Sequence, residues 1–358
     1  MKGSVAHEAS PRTVARPLGA ALNGKLKVSY ALRRVPKECL AALLPLSESP
    51  DAGDIAIARV ETVGKNTTLE LTDGRRSALH PGDAVAVVFG NRYATRQFEA
   101  YAKANGDSCD LISLGGLCGL VASRHASVTE PTKLRLLGRL ADASDRALRL
   151  RDFGLSRVSV REKPRVLAVC GSSMDAGKTH TAMSLIRGLA GEGIPVAGVK
   201  LTGTATGLDT WTLLDGGACT ALDFVDGGLP STYLATLEEL LALYDVLVSH
   251  AAQRGARWIV MEIADGLLQR ETSLLLQCPE FRNSVSAWAF ATGDPLAAVG
   301  GVTLLKNWGI EPVAVSGIVS MSPLGIREVE HVTGLPCLGA AEIQSGKLNG
   351  LILKEERA

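Results

Sequence analysis

Between Arg165 and Glu192 a short apolar run, Arg165-Val-Leu-Ala-Val-Cys170, breaks at a glycine-bounded turn and resumes with helical spacing over His180–Glu192. The turn reads Gly171-Ser-Ser-Met-Asp-Ala-Gly177-Lys178-Thr179. Few folds accommodate this order. Glycines let the backbone curl until successive amides converge on one point, and the following helix adds its unpaired N-terminal amides and positive dipole end. Such a concavity, placed after a strand and before a helix, is a phosphate loop. Lys178 supplies a point charge for the β and γ phosphates, and the Thr179 hydroxyl suits Mg2+. The expected nucleotide-binding stretch is therefore Gly171, Ser172, Ser173, Met174, Asp175, Ala176, Gly177, Lys178, Thr179 and His180. Five residues separate Gly171 from Gly177, where the common motif has four. Read with four, Ser172 takes the first glycine's place.

The texture on either side of this loop differs. A chain of 358 residues exceeds the size at which one core usually stops growing, so two domains are expected. Residues 1–24 mix Ala, Pro, Arg and Ser without an apolar run and read as a loose tail, neither signal peptide nor spanning helix. From 25 to 156, short alternating runs (Asp54–Val60, Thr68–Thr72, Ala84–Phe89) end at turn signals such as Asp73-Gly74. That pattern predicts a mostly-β domain, a small antiparallel sheet or barrel, with one helix over Ala94–Asn105. Residues 157–164 are charged, lack periodicity and read as a linker. From 165 to 358, strands at Arg165–Cys170, Ile194–Lys200, Trp258–Ile263, Val285–Phe290 and Pro312–Val319 alternate with helical segments near Leu234–Arg254, Pro295–Trp308 and Leu324–Val332. The prediction is an α/β fold, a parallel sheet flanked by helices and carrying the phosphate loop.

Hydrophobic residues make up 46% of the chain and aromatics 4%, as in layered α/β proteins. Lys plus Arg total 38 against 37 Asp plus Glu. That balance gives no electrostatic reason to expect nucleic acid or an anionic membrane as partner. The seven cysteines are scattered without a Cys-x-x-Cys pair, which argues for reduced thiols and a cytoplasmic location.

The five-residue spacing with an acid inside it resembles dethiobiotin synthetase and its relatives in the signal-recognition, partition and biotin-synthesis (SIMIBI) class of P-loop proteins. Their loop reads Gly-Thr-Asp-Thr-Glu-Val-Gly-Lys-Thr, and Asp175 falls where their Glu lies. Lys200 stands where dethiobiotin synthetase has a lysine serving substrate and phosphates, and Glu262 closes a strand as their metal-binding Glu does. The second half also resembles the P-loop family that includes D-glutamate N-acetyltransferase, whose Thr-Gly segment and Asp-Phe-x-x-Gly motif read here as Thr202-Gly203 and Asp223-Phe224-Val225-Asp226-Gly227. The resemblances cover roughly residues 165–342. Where the relatives follow the strand-end Glu with Gly-x-Gly, this chain has Ala264-Asp265-Gly266, so Asp265 is an alternative carboxylate. Their base-reading Asn corresponds to Ser320 or nearby, and no Asn-Lys-x-Asp marks guanine. ATP is therefore expected only as the usual nucleotide, with Mg2+.

Parallel sheets bind ligands at the carboxyl ends of their strands, which brings Lys200 and Glu262 to the phosphate loop. Between Thr202 and Gly228 the carboxylates Asp209, Asp215, Asp223 and Asp226 are candidates. The catalytic set is Lys178, Lys200 and Asp223; the metal set is Thr179, Glu262 and Asp209. Asp294 before Pro295 reads as a helix N-cap, and His180 as a packed or solvated residue. Asn91-Arg92-Tyr93, Gly115-Gly116 and Arg124-His125 either line a substrate pocket or belong to surface loops. Three functions follow. One is an ATP-dependent ligase or small-molecule kinase acting on a carboxylate or amine. The others are an N-acyltransferase using acyl-coenzyme A on an amino acid, and a nucleotide-gated binding protein or metallochaperone. The class resemblance implies a homodimer.

Overall fold

The computed structural model describes residues 16–21, 25–46, 50–142 and 144–353. The N-terminal part contributes β1 (Arg16–Pro17), β2 (Lys27–Val28), β3 (Ala42–Leu44), β4 (Ile55–Thr62), β5 (Thr68–Glu70), β6 (Arg76–Ala78), β7 (Ala84–Phe89), β8 (Phe98–Tyr101), β9 (Ser108–Leu111), β10 (Leu117–Arg124) and β11 (Thr132–Ala141). Neighbours pair in the order β1-β3-β11-β4-β7-β10-β8, while β9 bonds to both β10 and β11. The path β11-β4-β7-β10-β9 therefore returns to β11 and closes a small barrel, which leaves those strands no free edge. Its interior is filled by alternate residues such as Ala56, Ala58, Val60, Val85, Val87, Phe89, Leu111 and Leu134. The pairing of β7 with β10 is parallel, unlike the antiparallel β4–β7 and β11–β4 pairs.

Two expectations for this part are corrected. The segment predicted as a helix over Ala94–Asn105 holds β8, antiparallel to β10. Phe98 and Ala100 are buried while Glu99 and Tyr101 are half-exposed, so the period is two, and the polar residues on either side mimicked helical spacing. Within the expected tail, Arg16–Pro17 pairs with β3 and Leu18 is buried. Residues 1–15 and 22–24 lie outside the described residues.

After residue 164 the strands are β12 (Arg165–Gly171), β13 (Val196–Lys200), β14 (Thr220–Asp223), β15 (Trp258–Glu262), β16 (Ala287–Ala291) and β17 (Ala314–Ser316). The helices are α1 (Lys178–Gly191), α2 (Gly207–Asp215), α3 (Leu237–Gln253), α4 (Arg270–Gln277), α5 (Pro279–Ser284), α6 (Pro295–Asn307), α7 (Pro323–Thr333), α8 (Ala340–Gln344) and α9 (Asn349–Ile352). The sheet order is β14-β13-β15-β12-β16-β17, and every pairing is parallel. Strand β12 shows why both faces must be covered. Leu167 and Val169 pack with Leu185, Leu189 and Leu213 of α1 and α2. Val166, Ala168 and Cys170 face the opposite cluster with Leu240, Leu247, Phe281 and Val302. Both α2 and β14 lie in the segment Thr202–Gly228, whose glycines give it the composition of a loop; β14 is four residues long, too short to show a period.

The two parts share a core. The cluster beneath α3 continues without a break through Leu32, Ile55, Leu117 and Leu150 of the N-terminal part. Polar contacts reinforce the seam. Arg33 donates to Asp223 at 2.7 Å and to Asp226 at 2.8 Å, and the Tyr30 hydroxyl donates to Asp223 at 3.1 Å. Gly115 passes so close to Ala205 that a Cβ would lie 2.1 Å from its carbonyl oxygen. Removing one partner from a buried ion pair strands the other charge. Arg33→Met should therefore cost about 3–5 kcal/mol by urea denaturation, and adding Asp223→Leu should recover part of that loss.

Candidate functional site

Strand β12 delivers the chain to Gly171, where a side chain could not be accommodated. A Cβ there would lie 2.8 Å from Cγ of Lys178 and 2.9 Å from the carbonyl oxygen of Ala291. The glycine lets Lys178 fold back over the loop, where its ammonium donates to the Ser173 carbonyl at 2.7 Å. The loop ends at Gly177, whose φ of 96° belongs to the left-handed region that favours glycine. Its missing Cβ would also sit 2.9 Å from Cα of Gly317. The Ser172 amide is spent on Ala291 O at 2.9 Å, so Ser172 does not offer that group to a ligand. Among the described residues, the amides of Met174 to Lys178 have no protein acceptor. They are available to an anion at the N-terminus of α1.

Three strand ends meet this loop. Thr179 donates its hydroxyl to Oε1 of Glu262 at 3.2 Å, and Glu262 lies 3.9 Å from Nζ of Lys200. The register explains the meeting, since Lys200 on β13 stands directly opposite Glu262 on β15. Lys200 also forms a short ion pair with Asp209, in the first turn of α2. Lys178, Lys200 and Glu262 are all at least nine-tenths buried. Burial pushes the Lys178 ammonium below its ordinary range, partly countered by Glu262 and Asp265. For Lys200 burial acts in the same direction, but Asp209 and Glu262 outweigh it and the net shift is upward. Burial also raises the Glu262 carboxyl, against the pull of Lys200. Oε2 of Glu262 is buried and has no hydrogen-bond partner among the described residues.

That orphan oxygen is the test of whether a metal fits. A buried carboxylate oxygen without a partner costs several kcal/mol unless something supplies positive charge. A hydroxyl and a carboxylate side by side beneath an anion cradle are ligands of the kind Mg2+ takes. Thr179 and Glu262 fit that role. Asp209 is brought to Lys200 rather than set free for a metal.

The remaining candidates separate. Asp223 is not brought to this cluster. Its carboxylate accepts from Arg33, Tyr30 and the Val225 amide, so its geometry is that of an anchor for the N-terminal part rather than a reacting group. Asp226 shares that role, and Asp215 stands exposed at the end of α2. Asp265 has a left-handed backbone, φ 64°, uncommon for a residue with a side chain. Burial raises its carboxyl while Lys178 and Lys200 pull it down. It lies beside the Lys178–Lys200–Glu262 cluster rather than within its hydrogen-bonded set. Asp294 caps α6 by accepting from the Ala297 amide at 2.8 Å. His180 is exposed on α1, and Ser320 donates to Gly317 O at 2.7 Å. Arg96 was not singled out from sequence, yet its guanidinium lies 3.6 Å from Asp175 of the phosphate loop. It lies in the connection from β7 to β8, and no local motif could have announced the contact.

The C-terminal half is a P-loop α/β fold. No family model matches the chain, and no curated protein matches it. Solved structures similar to it include that of Signal Recognition Particle 54 kDa protein from Aeropyrum pernix K1 in complex with GDP. The identity there is 17% over 56% of this chain and 48% of that one, with a TM-score of 0.37. Another is the signal recognition particle receptor FtsY from Elizabethkingia anophelis, at 16% identity over 45% and 51% of the two chains and a TM-score of 0.31. Chloroplast FtsY from Physcomitrella patens is 14% identical over 51% of this chain and 61% of that one, with a TM-score of 0.35. The matches span about half of those chains in the first two cases and 61% in the third. Among the described residues no helix is long and apolar enough to cross a membrane.

The loop geometry makes a direct prediction. Forcing a side chain into the left-handed position at Gly177 costs about 1–2 kcal/mol and collides with Gly317. Gly177→Ala should therefore weaken nucleotide binding by about tenfold or more in calorimetric titration, with an unchanged far-ultraviolet circular dichroism spectrum.

Proposed function

We propose that this chain is an ATP-dependent ligase or small-molecule kinase, which binds Mg2+-nucleotide on the phosphate loop and transfers a phosphoryl group to a small carboxylate or amine. The observation that carries this reading is the meeting of Thr179, Glu262 and Lys200 under the loop, with Oε2 of Glu262 buried and unpartnered. A site that only gripped the phosphates of a coenzyme would need the amides and Lys178, but not a buried carboxylate beside a hydroxyl. Phosphoryl transfer needs both, because its catalysis is mostly positioning and charge neutralisation.

In this reading the amides of Met174–Lys178 hold the β-phosphate end of the nucleotide. Lys178 leaves the Ser173 carbonyl for a phosphate oxygen. Lys200 is kept cationic by Asp209 and Glu262 and faces the transferred group from the next strand. Thr179 and Glu262 would hold Mg2+, which when bound neutralises phosphate charge. The base is not specified by these residues, and ATP stands as the usual nucleotide. The same reading includes a homodimer formed over the carboxyl edge, where Leu296, Met321 and Leu324 stand 80%, 79% and 62% exposed.

Lys178→Ala should lower nucleotide turnover by about a hundredfold or more while leaving the urea midpoint of the protein near that of wild type. Unchanged turnover would remove the reading. Chelation of Mg2+, or Glu262→Gln, should abolish turnover to a similar extent. If purified protein instead releases thiol from acetyl-coenzyme A in the presence of amino acids without consuming nucleotide, the acyltransferase alternative replaces it. Sedimentation with and without Mg2+-ATP reads the dimer separately, as a doubling of mass.

A further inference from the structure

A cavity of about 300 Å3 opens where the barrel meets the P-loop half, between the segment Tyr93–Glu99, the end of β10 and Tyr233. Its lining brings together the rings of Tyr93 and Tyr233 and the Glu99 carboxylate, with Arg124 and His125 on the side of β10. The rings of Tyr93 and Tyr233 lie 5.6 Å apart and tilted, and Tyr101 stands 6.3 Å behind Tyr233. Beside them, Glu99 accepts from the Tyr101 hydroxyl at 2.6 Å and from the Ser123 hydroxyl at 2.7 Å. Those two donors hold its carboxyl below the ordinary range, so Glu99 presents a carboxylate to the cavity. The cation at the rim is already committed, because Arg124 pairs with Glu130 at 2.6 Å and donates to the Val128 carbonyl.

We propose that this cavity binds a small organic ammonium ion, held against the faces of Tyr93 and Tyr233 with its charge toward Glu99. Aromatic faces carry negative potential and attract ammonium groups within about 6 Å of the ring centroid. A carboxylate with remaining lone pairs completes the recognition. Resting on the phosphoryl-transfer reading, the bound amine is that reaction's second substrate. Two contacts tie the cavity to the nucleotide site. Arg96, between the lining residues Thr95 and Gln97, reaches Asp175 of the phosphate loop at 3.6 Å. Thr232, next to Tyr233, exchanges hydrogen bonds with Gly203, whose missing Cβ would lie 3.0 Å from Cε of Lys200.

The test is calorimetric titration of the full chain with n-butylammonium, 1-butanol and butyrate, each with and without Mg2+-ATP. Butylammonium should bind, and the isosteric alcohol and the anion should bind at least about tenfold more weakly. Tyr233→Leu and Glu99→Gln should each weaken butylammonium by about tenfold, whereas Tyr233→Phe keeps the ring face and should keep most of the affinity. Equal binding of butanol or butyrate, or undiminished binding by Tyr233→Leu, overturns the proposal. Nucleotide binding without amine binding also overturns it and leaves the phosphoryl-transfer reading intact. Amine binding without nucleotide binding removes the phosphoryl-transfer reading and, with it, the assignment of the amine as second substrate, and leaves only the ammonium site.

Discussion

The structure turns on a requirement that buried charge be answered by buried charge. Lys178, Lys200 and Glu262 are all withdrawn from water at the carboxyl edge of the parallel sheet. None of the three could stay ionised alone in that position. Lys200 is kept cationic by Asp209 and Glu262, while Glu262 receives the Thr179 hydroxyl and lies near Lys200. The register of β13 against β15 places Lys200 opposite Glu262. The geometry of a hydrogen-bonded sheet thereby becomes the geometry of a charged site. What the set lacks is positive charge at Oε2 of Glu262 and negative charge before the open amides of the loop. Both deficits are of the kind a metal–phosphate pair satisfies.

Legibility from sequence followed the range of the forces involved. The phosphate loop was readable because glycine, lysine and threonine act within one turn of chain, and Lys200 and Glu262 because a parallel sheet gathers its strand ends. Strand β14 and helix α2 were hidden, as glycines at 203, 207, 216 and 217 gave the segment the composition of a loop. The seam was invisible for another reason. Asp223 carried the family motif and looked chemical, but its fate depends on Arg33, 190 residues earlier in the chain. Nothing local to either residue records that pairing. Likewise, the Ala94–Asn105 stretch reads as a helix until β10 provides the partner that makes its true period two.

The N-terminal barrel is more than an appendage. Arg33 and Tyr30 fasten it to Asp223, Gly115 lies against Ala205, and Arg96 leans on the phosphate loop. Apolar packing runs through the boundary without interruption. A surface this continuous keeps the two halves in one orientation.

One contact at that seam has mechanical content. Glu70, at the end of β5, accepts from the Gly207 amide at 2.8 Å and so occupies the start of α2 from outside the helix's own half. Two residues further along the same helical turn stands Asp209, the counter-ion of Lys200. The hairpin of β5 and β6 thus holds one end of a lever whose other end touches the charged centre. That hairpin is a two-stranded sheet of its own, fixed two residues from the counter-ion of Lys200, so that any displacement of Asp209 acts on the Glu70–Gly207 contact.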